Sequence, residues 1–454
     1  MTAATTFSVN DRSYAHPGVP VVVICIDGSE PAYHQKAIEA GRMPWLADVL
    51  TSGRGSSWEG HCAMPALTNP NNLSIATGRP TAVHGISGNY ILDTTTGEEV
   101  LMNDKRFLRA PTIFGAANEA GLDVVIVTAK DKLRRLLGAG VVEDGPSLDG
   151  SGEFVAPGRR GICFSAEKAD QATVEDNGIT DVLDLVGRPL PTVYSADLSV
   201  FALAAGVEIL RTRGADLMYL SLTDYIQHKH APGTEPANAL YEQIDHHAAQ
   251  LEQLGAIVIL TADHGMSAKS DETGTADVVF VEDEVRRILG TTGIQPGGDD
   301  LRVILPITDP HTVHHGALGS FASVHLPEGA DRDSTIEALR GIEGLQSVHT
   351  REQAASTFSL PADRIGDIVV LAEAGTAVGR YAEWHDLSGL DAPLRSHGAL
   401  GELQIPFLVN RVLPRPAPLD EPWGRTAHIH NYDAFWVGTT LVSEQLSTSA
   451  VTAG

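Results

Sequence analysis

The chain has 454 residues, 43% apolar and 20% charged, which is the balance of a soluble globular protein with a large core. Lys and Arg number 32 against 58 Asp and Glu, a net charge of −26. That charge argues against general binding of nucleic acid or an anionic membrane, and any anionic substrate needs a local positive site. Three scattered cysteines, Cys25, Cys62 and Cys163, form no CxxC pair and predict a reducing compartment without disulfides. The polar first twenty residues contain no hydrophobic signal core, and no apolar run reaches membrane-span length. The expectation is therefore a cytoplasmic protein.

Residues 21–26, VVVICI, form a β-branched run suited to a buried parallel strand, and it ends at Asp27-Gly28. Helical spacing follows through Ile38, Met43 and Leu46 to Leu50. Residues 64–78 read as a Pro- and Asn-rich loop opening a short helix that Gly78 closes. Thr68 sits just before that helix. Its hydroxyl is either an N-cap or a nucleophile with free helix N–H groups behind it. In the loop PTAVHGISGNY, Asn89 either makes a turn or offers its amide to an anion, and His84 reads as structural.

Residues 124–128 form a second strand, which runs into Lys130 and Lys132. The pair is either a solvated helix start or a site for a carboxylate or phosphate. Residues 143–190 read as a long surface excursion, and 199–213 as a helix. Residues 217–222 form a third strand. Asp224 and His228 follow it four apart and share a face if the chain turns helically. The helix expected over 236–254 carries Asp245, His246 and His247 on its polar and packing faces. Residues 256–260 form another buried strand, followed by Asp263-His264-Gly265. Asp and His are good ligands for a divalent metal, and strand carboxyl ends are where open α/β sheets place ligands. The glycine is expected to let the backbone turn away sharply.

From 267 to about 382 the texture becomes that of an inserted α+β subdomain. Strands are expected over 278–281, 303–305, 317–326 and 368–371, with a helix over 334–339. His311, His314 and His315 cluster there and read as part of a loop near the mouth of the site, with a metal role as the alternative. His397 lies in a glycine-containing loop, and 404–409 is the last clear strand. Three strand-end carboxylates, Asp27, Asp224 and Asp263, together with His228, His264, His397 and Thr68, would furnish two compact metal sites. Paired divalent ions suit phosphoryl chemistry.

The ordered motifs ICIDGSE, LTNPNNLSIATGRP, PTAVHGISGNY, TDYIQHKHAPG, TADHGM and RSHG resemble the alkaline phosphatase superfamily, in its nucleotide pyrophosphatase/phosphodiesterase-like branch. TNPNNLSIATGRP, VTAKDKLR, LTDYIQHKH and DPHTVHHGALGSFASVHLP look most like the phosphonoacetate-cleaving members. The resemblance spans about 21–436. It implies an α/β fold: an alkaline phosphatase-like core (18–266 and 383–440) with a central mostly parallel sheet between helices, an inserted α+β cap (267–382), and flexible termini (1–17 and 441–454). It implies one zinc ion on Asp27, Thr68, Asp263 and His264, and a second on Asp224, His228 and His397. Thr68 would be the nucleophile and form a phosphothreonine. Asn89 would hold a phosphoryl oxygen, and Lys130 and Lys132 the substrate carboxylate. Asp224, His228 and His397 would also line the substrate site. The implied reaction converts phosphonoacetate, a small-molecule substrate, to acetate and phosphate. Nucleotide pyrophosphatase or phosphodiesterase chemistry on the same metals is the alternative, and metal-stabilised capture of phosphonates without turnover is a third reading. No nucleic acid or membrane partner is expected, and a homodimer is left open.

Overall fold

The structure is a computed structural model, and it describes residues 6–142, 161–290, 301–307, 318–390, 392–412, 419–421, 424–426 and 428–441. Its centre is an eight-stranded sheet. The strands are β1 (Val21–Cys25), β2 (Ser56–His61), β3 (Val124–Thr128), β4 (Ile162–Ser165), β5 (Leu217–Ser221), β6 (Ile257–Thr261), β7 (Gln404–Val409) and β8 (Ile429–His430). Their order across the sheet is β8-β2-β7-β6-β1-β5-β3-β4. The run β6-β1-β5-β3-β4 is parallel throughout. β7 is antiparallel to both its neighbours.

The β-branched run at 21–25 follows from burial on both faces. Val22 and Ile24 pack into the core on one side, and Val21, Val23 and Cys25 into the core on the other. The first side is covered by α3 (Asp197–Arg213) and α4 (Glu235–Gln253), through residues such as Phe201 and Tyr241. The second is covered by α2 (Thr68–Thr77) and the helix Ile113–Glu119. A separate four-stranded sheet is built from Arg302–Ile304, Phe321–His325, Leu345–Thr350 and Ile368–Ala372, with its own apolar core.

Several expectations change. Residues 162–165 are not a surface excursion. They form β4, the parallel edge strand beside β3, and all four are buried; residues 143–160 lie outside the described residues. β2 and β8 lack a β-branched run, and neighbouring strands rather than propensity make them strands. The segment 6–15, expected to be a flexible terminus, forms the hairpin Thr6–Val9 and Arg12–Ala15. Tyr14 is fully buried, and Arg12 pairs with Asp433 at 2.7 Å. His311, His314 and His315 fall outside the described residues. Among the described residues, no helix is long and apolar enough to cross a membrane.

Asp245 has the structural role expected of it. Its carboxylate accepts the backbone N–H groups of Trp45 (3.0 Å) and Leu46 (2.9 Å), capping α1 (Pro44–Thr51) from a neighbouring helix. α1 has no cap of its own, because its N-cap residue is Met43. Asp245→Ala is expected to lower stability by about 1–2 kcal/mol and leave kcat unchanged; urea unfolding beside steady-state kinetics checks both.

Candidate metal and phosphoryl-transfer site

Register builds the site. Thr261, Cys25, Ser221 and Thr128 stand level across four adjacent parallel strands, β6, β1, β5 and β3. Asp263, Asp27, Asp224 and Lys130 follow two or three residues later, so they emerge side by side at one sheet edge. Gly28 takes φ +70°, and a Cβ there would meet Met266 Cε at 3.0 Å. This is the tight turn that lets Asp27 face its neighbours. Gly265 is needed for a different reason from the one expected. Its N–H donates to the Glu402 carbonyl at 2.8 Å, and a Cβ would stand 3.2 Å from two backbone oxygens. Close approach, rather than a left-handed turn, requires glycine there.

Two groups of candidate metal ligands result: Asp27, Asp263 and His264, and Asp224, His228 and His397. Within each, the donor atoms lie within 4.8 Å of one another. The rings of His264 and His397 stack at 3.5 Å, so the two groups adjoin. His228 Nδ1 donates to the Arg395 carbonyl, His264 Nδ1 to that of Gly265 and His397 Nδ1 to that of Ala66, each at 2.8 Å. A carbonyl oxygen only accepts, so each ring carries a proton on Nδ1, and in the neutral ring Nε2 is a lone pair. His264 Nε2 points at Asp27 Oδ1 (3.2 Å), and His228 Nε2 at Asp224 Oδ2 (2.9 Å). Each of these atom pairs needs a cation between its members, either a proton on the ring, which at His228 burial opposes and Asp224 favours, or a metal ion. This donor set fits a borderline-soft divalent metal with its outer hydrogen bonds already made.

The carboxylates carry the same message. Burial pushes Asp27 well above the usual carboxylate range, and Asp224 and Asp263 push it further. Burial likewise drives Asp263 up to about 7. Burial also works against ionised Asp224, but Lys130 and His228 outweigh it and hold the group well below the usual range. Burial, with His264 and His228 alongside, keeps His397 neutral by lowering its pKa well below the ordinary value. The Asp27–Asp263 group is thus short of positive charge.

Thr68 is the first residue of α2, and Leu67 is the N-cap. The Thr68 hydroxyl makes no capping bond and instead lies 3.3 Å from His264 Nε2. Geometry therefore removes the capping alternative. The Asn69 N–H donates to Asn89 Oδ1 at 3.2 Å, and Asn89 Nδ2 donates one hydrogen to the Ile307 carbonyl. Lys130 Nζ lies 3.4 Å from Asp224 Oδ1. Lys132 is exposed on the same rim. Thr68, Asn89, Asp27, Asp224, His228, His397 and both lysines line one cavity of about 490 Å³. Asp263 and His264 lie fully buried. His84, read as structural, is buried and bonded to Ser74 Oγ at 3.0 Å.

Some residues that position the site carry no sequence signal. Asn72 Nδ2 donates to Asp263 Oδ2 at 3.2 Å, while its Oδ1 accepts from Tyr219 and Ser221, both at 2.8 Å. Arg395 Nε donates to the Gln227 carbonyl at 2.9 Å while its own carbonyl orients His228. Lys269 and Glu402 form a fully buried ion pair at 2.9 Å behind the Gly265 turn. A buried Asn at i+4 from Thr68 was the one clue available, because four residues on is the same helix face.

Two candidate acid–histidine groups thus stand at the carboxyl ends of a mostly parallel sheet, with the Thr68 hydroxyl beside one of them, an arrangement that suits a pair of divalent ions. A family model described as type I phosphodiesterase / nucleotide pyrophosphatase matches residues 21–400, and the chain belongs to that family. Crystal structures of phosphonoacetate hydrolase from Sinorhizobium meliloti 1021, in complex with phosphonoformate and with phosphonoacetate, are similar over nearly the whole chain. Each superposes with a TM-score of 0.87 at 48% identity, covering 97% of this chain and 100% of that one. Human ectonucleotide pyrophosphatase / phosphodiesterase 5 shares the fold, with a TM-score of 0.57 at 16% identity over 94% of this chain and 95% of that one.

Proposed function

We propose that this chain hydrolyses the carbon–phosphorus bond of phosphonoacetate to acetate and phosphate, with two zinc ions and a phosphothreonine on Thr68. The observation that carries the reading is the pair of acid–histidine groups beside Thr68, with Nε2 of His264 and of His228 aimed at Asp27 and Asp224 and with Lys130 and Lys132 on the same cavity. The Sinorhizobium meliloti relative supports the substrate. Asp27, Thr68, Asp263 and His264 would hold one ion, and Asp224, His228 and His397 the other. When bound, such ions supply positive charge to phosphoryl oxygens and acidify oxygen nucleophiles. We take 267–382 as a cap inserted into a core of 18–266 and 383–440. The free buried cysteines suit a reducing cytoplasm.

Thr68 Oγ1, its hydroxyl proton given up to solvent, attacks phosphorus, and an O–P bond forms as the P–C bond breaks. The released electron pair moves to the methylene carbon and spreads into the neighbouring carboxylate. Lys130 and Lys132 stabilise the charge that accumulates there. The second N–H of Asn89 holds a phosphoryl oxygen near the start of α2, while the Asn69 N–H orients the Asn89 amide. Carbon takes up a proton and acetate leaves. Water then cleaves the phosphothreonine O–P bond, releasing phosphate and restoring Thr68.

The family match and two tyrosines in the cavity, Tyr194 and Tyr225, favour a second reading, a nucleotide diester stacked on those rings. One assay separates them: zinc-loaded protein is offered phosphonoacetate beside a nucleotide diester, and phosphate, acetate and nucleotide are measured. Acetate with phosphate is the expected product pair; nucleotide release alone would overturn the proposal. Lys130→Ala and Lys132→Ala should each cut kcat/KM for phosphonoacetate about 100-fold more than for p-nitrophenyl phosphate. Equal losses on both substrates would remove the carboxylate role.

A further inference from the structure

A second cavity, of about 780 Å³, adjoins the first, and the two share Lys130, Lys132, Val193 and Tyr194. Lys105, Arg134, Arg135 and Lys168 join the shared lysines there, against Asp104, Asp131, Glu167 and Asp176. Three of those acids are engaged. Asp131 pairs with Arg134 (3.0 Å) and Lys168 (2.9 Å). Glu167 accepts the Asp131 N–H at 2.9 Å, and Asp104 accepts that of Arg106 at 2.9 Å. Lys132 and Arg135 are exposed and have no ionic partner among the described residues. Tyr194, 78% exposed, stands in the shared wall. In a chain of net charge −26, this is a basic hollow opening beside the candidate site.

Resting on the phosphonoacetate reading, we propose that this second cavity is a vestibule that collects small polyanions. Arg135, Lys105 and Lys132 draw the substrate in against the field of the acidic chain and pass it beside Tyr194 to Lys130. Phosphonoacetate carries two to three negative charges at neutral pH, so it is repelled by the chain as a whole. Cations within a Debye length of the entrance, about 8 Å at physiological salt, set the potential it meets. Such steering scales with substrate charge, and salt removes it.

The test uses zinc-loaded full-length protein with Arg135→Glu, Arg135→Gln and Lys105→Glu, each first shown to be folded by circular dichroism. At low ionic strength, each reversal should lower kcat/KM for phosphonoacetate about 5-fold and leave kcat unchanged, with Arg135→Gln intermediate. The difference should collapse at about 1 M salt, and be much smaller for bis-p-nitrophenyl phosphate, a monoanion. Unchanged kcat/KM at low salt, a loss that survives high salt, or an equal loss on the monoanion would each overturn the vestibule. If the wild-type protein itself releases no acetate from phosphonoacetate, the substrate reading fails, and the vestibule proposed for that substrate fails with it.

Discussion

Thr68→Ala is expected to lower kcat by roughly 10⁴- to 10⁶-fold, with zinc still bound at both groups. Six of the seven proposed ligands remain in that variant, and they are held from outside. Backbone carbonyls fix the three imidazoles, Asn72 holds Asp263, and Lys130 pairs with Asp224. The lost hydroxyl makes no capping bond, so α2 should survive its removal. Metal content, melting temperature and single-turnover phosphate release together isolate the effect. Substantial turnover with metal retained would exclude Thr68 as the nucleophile. Thr68→Ser keeps a hydroxyl on the same backbone and should recover part of the rate, which a purely structural role would not predict.

Acidification should destabilise the protein well above the pH at which ordinary carboxylates are protonated. Burial lowers His34, His247, His325, His385 and His430 from an ordinary value of 6.5 to about 4, and His84 to about 3. The folded state keeps these rings neutral, and the unfolded chain protonates them near 6.5. Their stabilising effect is complete above that pH and is lost as pH falls through 6.5 toward 4. At pH 5 the loss is about 2 kcal/mol per histidine. Six of them sum to on the order of 10 kcal/mol, comparable to the whole net stability of a typical domain, and Asp27 and Asp263, whose raised values let the folded state take up protons first, offset only part of it. Urea or thermal unfolding between pH 7.5 and 4.5 reads this directly. A midpoint that is flat from pH 7 to pH 5 would show that these histidines are not held neutral by burial.

The elements that were legible share one property: a local pattern strong enough to define them without a partner. β1, β3, β5 and β6 are unbroken apolar runs because both faces of the sheet are covered, and each was readable within a residue of its ends. α4 was readable from its period, and α2 from Gly78, whose φ of +67° closes it. β2, β4 and β8 were not readable. SSWEGH and the two-residue Ile429–His430 have no strand signature, and Ile162–Ser165 lies in a stretch rich in turn-forming residues. Neighbours in space make these segments strands, and spatial neighbours leave no local trace.

The candidate site divides in the same way. Asp27, Asp224, Asp263 and Lys130 were visible because each stands just after a legible strand, and His228 and His264 because they stand near an aspartate. By itself, the sequence determined which residue types end which strands, and therefore which chemistry was on offer. Tertiary structure decided the rest. Sheet order, which sequence separation does not encode, set β6, β1, β5 and β3 side by side with their ends level. It carried His397 from beyond the second sheet to within stacking distance of His264. It also set the partner of the Thr68 hydroxyl, because the same group caps a helix or faces an imidazole depending on a backbone turn that only the packed fold imposes.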